Sequence, residues 1–434
     1  MNDTAKTPLV EKRYLTTFIV VTALFALWGF ANDITNPLVA AFQTLMQISA
    51  AKASMIQFAF YGGYATMALP AALFIRRYSY KTGLLIGLGL YALGAFLFIP
   101  AAAYEQFSFF CLSLYILTFG LAFLETTANP FILTLGSKDS ATRRLNLAQS
   151  FNPVGSLSGM AVASLIILPN LISDRRGPSG ELLFPAMDAA EKASVRVHDL
   201  AVIRDPYVAI GVVVLVMAVI IAFTRMPASD RSGERVSVGE SLSRLRHNHL
   251  YCFGVLSQMF YVAAQIMVWT FIIQYAENIG MTKATAQNYN ILAMGLALCF
   301  RFVGTYCMKY VRPAVMLTIF GVGATLCSLG AVTIVGMGGL WSLVCISAFM
   351  SIMFPSIYGI ALNDVTPRDT PIGSAFLVMS IVGGALMPPV QGAVIDMGTI
   401  WGMPAVNISY LIPLGCFVIV TLYGLAAIRH LRQA

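Results

Sequence analysis

Charge is scarce in this chain: Asp, Glu, Lys and Arg together make up 11% of 434 residues. Soluble proteins carry about 25%. With 58% hydrophobic residues and a mean hydropathy of +0.78, the chain has more apolar surface than a soluble core could hide. Histidine is rarer still, with 4 residues. His198, His247, His249 and His430 all fall in loops or the tail, which argues against a membrane metalloenzyme and a buried His proton relay, so no metal is expected. The 7 cysteines lie within or at the ends of apolar stretches and offer neither a disulfide framework nor a zinc spacing. No glycine-rich phosphate loop with its Lys and Ser/Thr is present, which excludes an ATP motor in this chain. No cofactor is expected, and no enzyme.

What the sequence does have is long apolar runs. Stretches of about 20 such residues read as membrane spans, near 15–42, 54–75, 83–101, 109–135, 145–168 and 207–223. A second set follows near 250–275, 286–308, 314–335, 340–362, 372–394 and 405–427. The fold class is therefore an all-α integral membrane protein with twelve transmembrane helices, six on each side of a polar linker. The expected division is a bundle over 1–223, a linker over 224–248 and a second bundle over 249–434. Most of the 27 Lys and Arg fall in the segments that lie inside if both termini are cytoplasmic. Arg76, Arg77, Lys81, Lys138, Arg143 and Arg144 are examples, and this bias sets the orientation. The net charge of +8 is mostly this bias, with no basic stripe outside loops, so no nucleic acid is expected as a partner. The polar start, Met1 to Arg13, leads into a full span rather than a short cleavable one, so no signal peptide is expected.

Inside the apolar runs, two acids stand out. Glu125 lies about 30 Å of helix from Glu105 and about 20 Å from Lys138, so it reaches neither membrane surface. Asp33 is similarly isolated between Arg13 and Lys52. Ionisable groups at such depth face a bundle interior or a wet cavity and mark an ion or substrate pathway. Three Asn-Pro pairs lie at comparable depth: Asn36-Pro37, Asn129-Pro130 and Asn152-Pro153. Proline has no N–H, so within a helix each frees the carbonyl four residues back, on Asp33, Thr126 and Gln149. Irregular backbone at this depth must line protein or water.

Helical spacing collects polar side chains onto faces. Asn32, Asp33 and Asn36 share the first helix, Gln57 with Tyr61 and Tyr64 the second, Glu125 and Asn129 the fourth, and Asn146, Gln149 and Asn152 the fifth. Gln265 and Trp269 are one turn apart in the second half, where an indole face could stack on a sugar ring. Amides offer both donors and acceptors, which suits the hydroxyls of a sugar better than a cation or a lipophilic drug. A carboxyl that is protonated in a closed, dry cavity and releases its proton when the cavity hydrates could tie sugar movement to a proton gradient. Arg301 is the one basic residue inside an expected span. It either snorkels toward Lys309, partners Asp33 or Glu125, or donates to substrate.

The segments LWGFANDITNPLV from Leu27, QFAFYGGY from Gln57, LETTANPF from Leu124, RRLNLAQSFNPVGS from Arg143, WTFIIQYA from Trp269 and RFVGT from Arg301 resemble the fucose/proton symporter family of the major facilitator superfamily. The resemblance covers nearly the whole chain. It implies two six-helix bundles in a bacterial inner membrane, importing L-fucose or a close sugar with a proton. By position, Glu125 resembles the family's proton-coupling glutamate, and Gln149 and Asn152 its sugar ligands. One departure is that the family's first-helix aspartate falls at Asn36, while Asp33 falls where the family carries Asn. The basic turn after the second span also lacks the Asp of the common superfamily signature. Within the family the solute could instead be glucose, galactose, mannose or N-acetylglucosamine. A multidrug exporter is opposed by the amide-rich faces, and a sugar sensor by the lack of a signalling domain. A monomer in the lipid bilayer is expected.

Overall fold

A computed structural model describes residues 9–35, 38–48, 52, 55–175, 177, 183–226, 237–281 and 283–433. Its helices are α1 (Leu15–Thr35), α2 (Leu38–Leu45), α3 (Met55–Arg77), α4 (Tyr80–Phe96), α5 (Phe98–Ala103), α6 (Phe107–Thr134), α7 (Ala141–Gln149), α8 (Asn152–Val162) and α9 (Ala189–Phe223). A second series follows: α10 (Val238–His247), α11 (His249–Asn278), α12 (Lys283–Cys307), α13 (Pro313–Thr333), α14 (Met337–Met350), α15 (Met353–Ala361), α16 (Thr370–Met379), α17 (Gly383–Ile395), α18 (Ala405–Ser409) and α19 (Leu411–Gln433). Among the described residues, 12 helical stretches are long and apolar enough to cross a membrane. The protein is a multi-pass membrane protein.

Prolines decide where several spans break. The fifth span is two half-helices, α7 and α8, because Pro153 cannot continue the ladder and instead starts α8. The tenth span likewise divides into α14 and α15, with Pro355 in the first turn of α15. Pro130, by contrast, sits within an unbroken α6. Residues 36–37, the first Asn-Pro pair, lie outside the described residues, between α1 and α2.

The sixth span differs most from expectation. Residues 169–206 read as an outer loop because they are polar, yet α9 begins at Ala189 and runs 35 residues. Asp188 accepts from the Glu191 N–H at 2.8 Å while Glu191 accepts from the Asp188 N–H at 3.2 Å. This reciprocal cap satisfies two donors at the helix start. The expected linker also holds a helix: Ser237 caps α10, and residues 227–236 lie outside the described ones.

Contacts group the chain into two units. One comprises Ile19–Ala128 and Phe151–Ser229, the other Met1–Phe18, Asn129–Ser150 and Asp230–Ala434. In the first, α1 and α8 approach so closely that a Cβ on Gly155 would lie 1.7 Å from the Ala26 carbonyl oxygen, and one on Gly29 2.0 Å from that of Asn152. Membrane helices pack this way through small residues. Phe98 stacks on Tyr207, ring centroids 3.9 Å apart, and the Tyr207 hydroxyl meets Thr35 Oγ1 at 2.9 Å. In the second unit, Tyr261, Met267, Leu317, Leu343, Met350 and Phe417 belong to one buried core. Tyr275 donates to the Ala331 and Ile334 carbonyls, and Asn407 donates to the Tyr275 oxygen at 2.8 Å.

Candidate functional site

The second unit brings together four of the polar residues expected from sequence. Gln149, the last residue of α7, donates its amide to Asn129 Oδ1 on α6 at 2.8 Å. Asn146, one turn earlier, donates to the Thr142 carbonyl at 2.9 Å and to Ser356 Oγ on α15 at 3.2 Å. Arg301 on α12 donates from Nη1 to the Gln149 carbonyl at 2.9 Å and from Nε to the Ser351 carbonyl. Asn129, Asn146 and Ser356 are fully buried, and Gln149 and Arg301 nearly so. Arg301 therefore does not snorkel: its hydrogen-bond partners among the described residues are backbone carbonyls.

Elsewhere in that unit, Gln265 and Trp269 lie one turn apart on α11 and both keep some exposure. The Trp269 indole N–H donates to Ser347 Oγ at 3.2 Å. This bond fixes the ring without covering it.

The first unit holds the acids. Asp33 on α1 is 8% exposed, and Tyr61 on α3 lies within electrostatic range of it. Glu125 on α6 is partly exposed, with the buried Tyr64 of α3 within range. The spacing of Tyr61 and Tyr64, less than one turn, lets one helix address both carboxyls. Asn32 beside Asp33 is partly exposed. Asn152, at the start of α8, donates to the Phe25 carbonyl of α1 at 3.3 Å. Trp28 is a packing residue, donating to the Leu121 carbonyl at 3.3 Å and meeting Phe25 edge to face. Asn36 and the side chain of Gln57 lie outside what the structure describes.

Three residues escaped the sequence reading. Arg144, counted there only as topogenic charge, is fully buried and donates to the Ile132, Leu133 and Leu9 carbonyls at 2.7, 2.6 and 2.9 Å. It closes the C-terminus of α6, where the last carbonyls have no helical partner. Ser351 and Ser356 flank Pro355, which frees the Ser351 carbonyl by the same rule that was applied to the Asn-Pro pairs. A search over every proline inside a span would have found them.

The Major Facilitator Superfamily profile matches residues 16–388. The chain is 56% identical over 426 residues to the L-fucose-proton symporter of Haemophilus influenzae, covering 98% of this chain and 99% of that protein. It is 35% identical to the L-fucose-proton symporter of Escherichia coli, covering 95% and 93% of the two chains. It is 30% identical to a glucose/galactose transporter of Brucella abortus, covering 96% and 95%. The crystal structure of the transporter FucP in its outward conformation superposes with a TM-score of 0.88 at 34% identity, covering 96% of this chain and 99% of that one. The chain belongs to the Major Facilitator Superfamily, and within it to the family of these sugar transporters.

Proposed function

We infer that this protein is a secondary active transporter that imports L-fucose together with a proton across a bacterial inner membrane. The observation that carries this is the 56% identity to the Haemophilus influenzae L-fucose-proton symporter over nearly the whole of both chains. Two acids and a set of amides at membrane depth supply suitable chemistry. One proton moving through about 100 mV provides about 2.3 kcal/mol, enough for roughly 50-fold accumulation of a neutral solute.

We assign the residue roles on chemistry and position in the sequence. Glu125, partly exposed in an otherwise apolar span, is the proton carrier, and Asp33 is a second acid on the same path. Gln149 and Asn152 are sugar ligands, assisted by Asn32, Asn36, Gln57, Asn129, Asn146 and Gln265, with Trp269 offering a ring face. The six-helix bundles of the reading are 1–223 and 249–434, joined by 224–248, and the transporting unit is a monomer.

Uptake of radiolabelled L-fucose into proteoliposomes under an inward proton gradient tests the reading. The expected result is accumulation that a protonophore collapses and that unlabelled fucose competes away. The 30% identity to the Brucella abortus glucose/galactose transporter favours a second reading, a hexose importer. Competition by glucose or galactose with no fucose uptake would move the substrate and keep the mechanism.

A further inference from the structure

One guanidinium serves two broken helices. α7 ends at Gln149, and Pro153 withholds the N–H that would have bonded the Gln149 carbonyl. α14 ends at Met350, and Pro355 withholds the N–H that would have bonded the Ser351 carbonyl. Arg301 donates to both of these oxygens, from Nη1 and from Nε. The arrangement also answers how a buried cation can be held by carbonyls. The C-termini of α7 and α14 carry partial negative charge, so two half-helix dipoles converge on it.

The surroundings fit a contact built for this purpose. Gly304, one turn beyond Arg301, lets α12 lie against the break, since a Cβ there would sit 2.6 Å from Ile352 Cγ2. Tyr261 donates to the neighbouring Met350 carbonyl at 3.1 Å. A Cβ on Gly359 would lie 2.7 Å from Thr142 Oγ1, so α15 and α7 are equally close. Yet Asn129 Nδ2, Asn146 Oδ1 and Ser351 Oγ are buried with no partner among the described residues. Buried orphans are costly, and water would satisfy them, so the seam is set to part once its strongest bond is released.

We propose that Arg301 is a positioning residue for transport, a latch that holds α7 to α12 and to the α14–α15 break and must let go in each cycle. This rests on the transporter reading above. Gln149 carries both ends of the device: its carbonyl is what Arg301 holds, and its side chain is a proposed sugar ligand. A solute that draws on the Gln149 amide therefore acts on the latch within one residue.

The test places a cysteine at Ser356, which is fully buried in the seam, in a chain whose native cysteines are replaced, and follows its labelling by a maleimide in proteoliposomes. Arg301→Met removes both bonds and should raise the labelling rate at least about tenfold, the shift expected from losing even one charge-assisted hydrogen bond. Arg301→Lys should be intermediate, because an ammonium cannot fork to two carbonyls as a guanidinium does, and should lower the maximal uptake rate with KM unchanged. Pro153→Ala leaves Arg301 in place but offers the Gln149 carbonyl a competing helical donor, and should also raise labelling. If Arg301→Met does not fold, the other two variants decide. Labelling at the parental rate in Arg301→Lys and Pro153→Ala overturns the latch. Labelling does not depend on which solute is carried, so this failure would leave the fucose reading standing, and a failure of fucose uptake would leave the latch standing.

Discussion

The side-chain amide of Gln149 donates to Asn129 Oδ1 at 2.8 Å, so two residues assigned to sugar already hold one another. Asn129 Nδ2 is left buried without a partner among the described residues. On the reading proposed above, a sugar hydroxyl displaces this bond to reach the Gln149 amide, and Asn129 both aims that amide and assists at the sugar. Gln149→Ala should raise the KM for exchange by about tenfold, the worth of one hydrogen bond at the strong end of the usual range. Asn129→Ala should cost less, about threefold, because it frees Gln149 rather than removing it. Exchange kinetics of the two variants measure the order, and the reverse order would exchange their roles.

Glu125 and Asp33 should separate by transport mode. Glu125, the proposed proton carrier, is partly exposed, whereas Asp33 is 8% exposed. Glu125→Gln should abolish proton-driven accumulation yet keep sugar exchange between equal pools, because a neutral amide imitates the protonated acid. Asp33→Asn should slow uptake and keep accumulation. Steady-state accumulation and counterflow on the two variants check this, and normal accumulation in Glu125→Gln would remove the proton from that residue.

How much of this was legible follows from the range of each signal. Apolar length alone placed the spans, and helical spacing alone put Asn146 and Gln149 on one face. Polarity misled at 189–206, where the Asp188 and Glu191 cap starts a helix that the charge of the segment disguised. The prolines correctly marked the Gln149 carbonyl as needing a donor. What no spacing rule supplies is that donor, since Arg301 lies 152 residues further along the chain. Arg144 was missed for a different reason: an Arg beside a loop reads as topogenic charge, and only burial reveals it as a cap.

Arg144 should be among the least replaceable residues for folding. Its guanidinium is fully buried and donates to the Ile132 and Leu133 carbonyls at the end of α6, to the Leu9 carbonyl and to Ser140 Oγ at 2.9 Å. Removing it takes a donor from the Leu133 and Leu9 carbonyls, at about 1–3 kcal/mol for each left unpaired, while the Ile132 carbonyl keeps the Leu135 N–H at 3.3 Å. Arg144→Ala should lose more than about 3 kcal/mol and much of its yield. Arg144→Lys should recover little, since an ammonium cannot span the same set. Thermal unfolding in detergent measures both, and a melting temperature near the parent's in Arg144→Ala would exclude the capping role.

Asp369 and Arg244 supply a pH-dependent fastening on the face where α10 meets the turn before α16. Arg244 donates from Nε and Nη2 to the two Asp369 oxygens, each at 2.8 Å, and Thr366 Oγ1 adds a third bond at 2.9 Å. Burial pushes the Asp369 carboxyl up, but the hydrogen bonds from Arg244 and Thr366 and the Arg244 charge outweigh it and hold the group at about 2. An unfolded aspartate titrates near 3.9. The pair therefore contributes its full stability above about pH 4 and loses it as the pH falls toward about 2. Arg244 is half-exposed, so the contribution is modest after screening by solvent. Asp369→Asn should lower the melting temperature at pH 7 by about 2–4 °C. The gap between variant and parent should narrow as the pH is lowered below 4, because the parent's own carboxylate is then being neutralised. A gap that widens in acid would mean that the carboxyl titrates in the opposite sense and that the bond to Arg244 does not govern it.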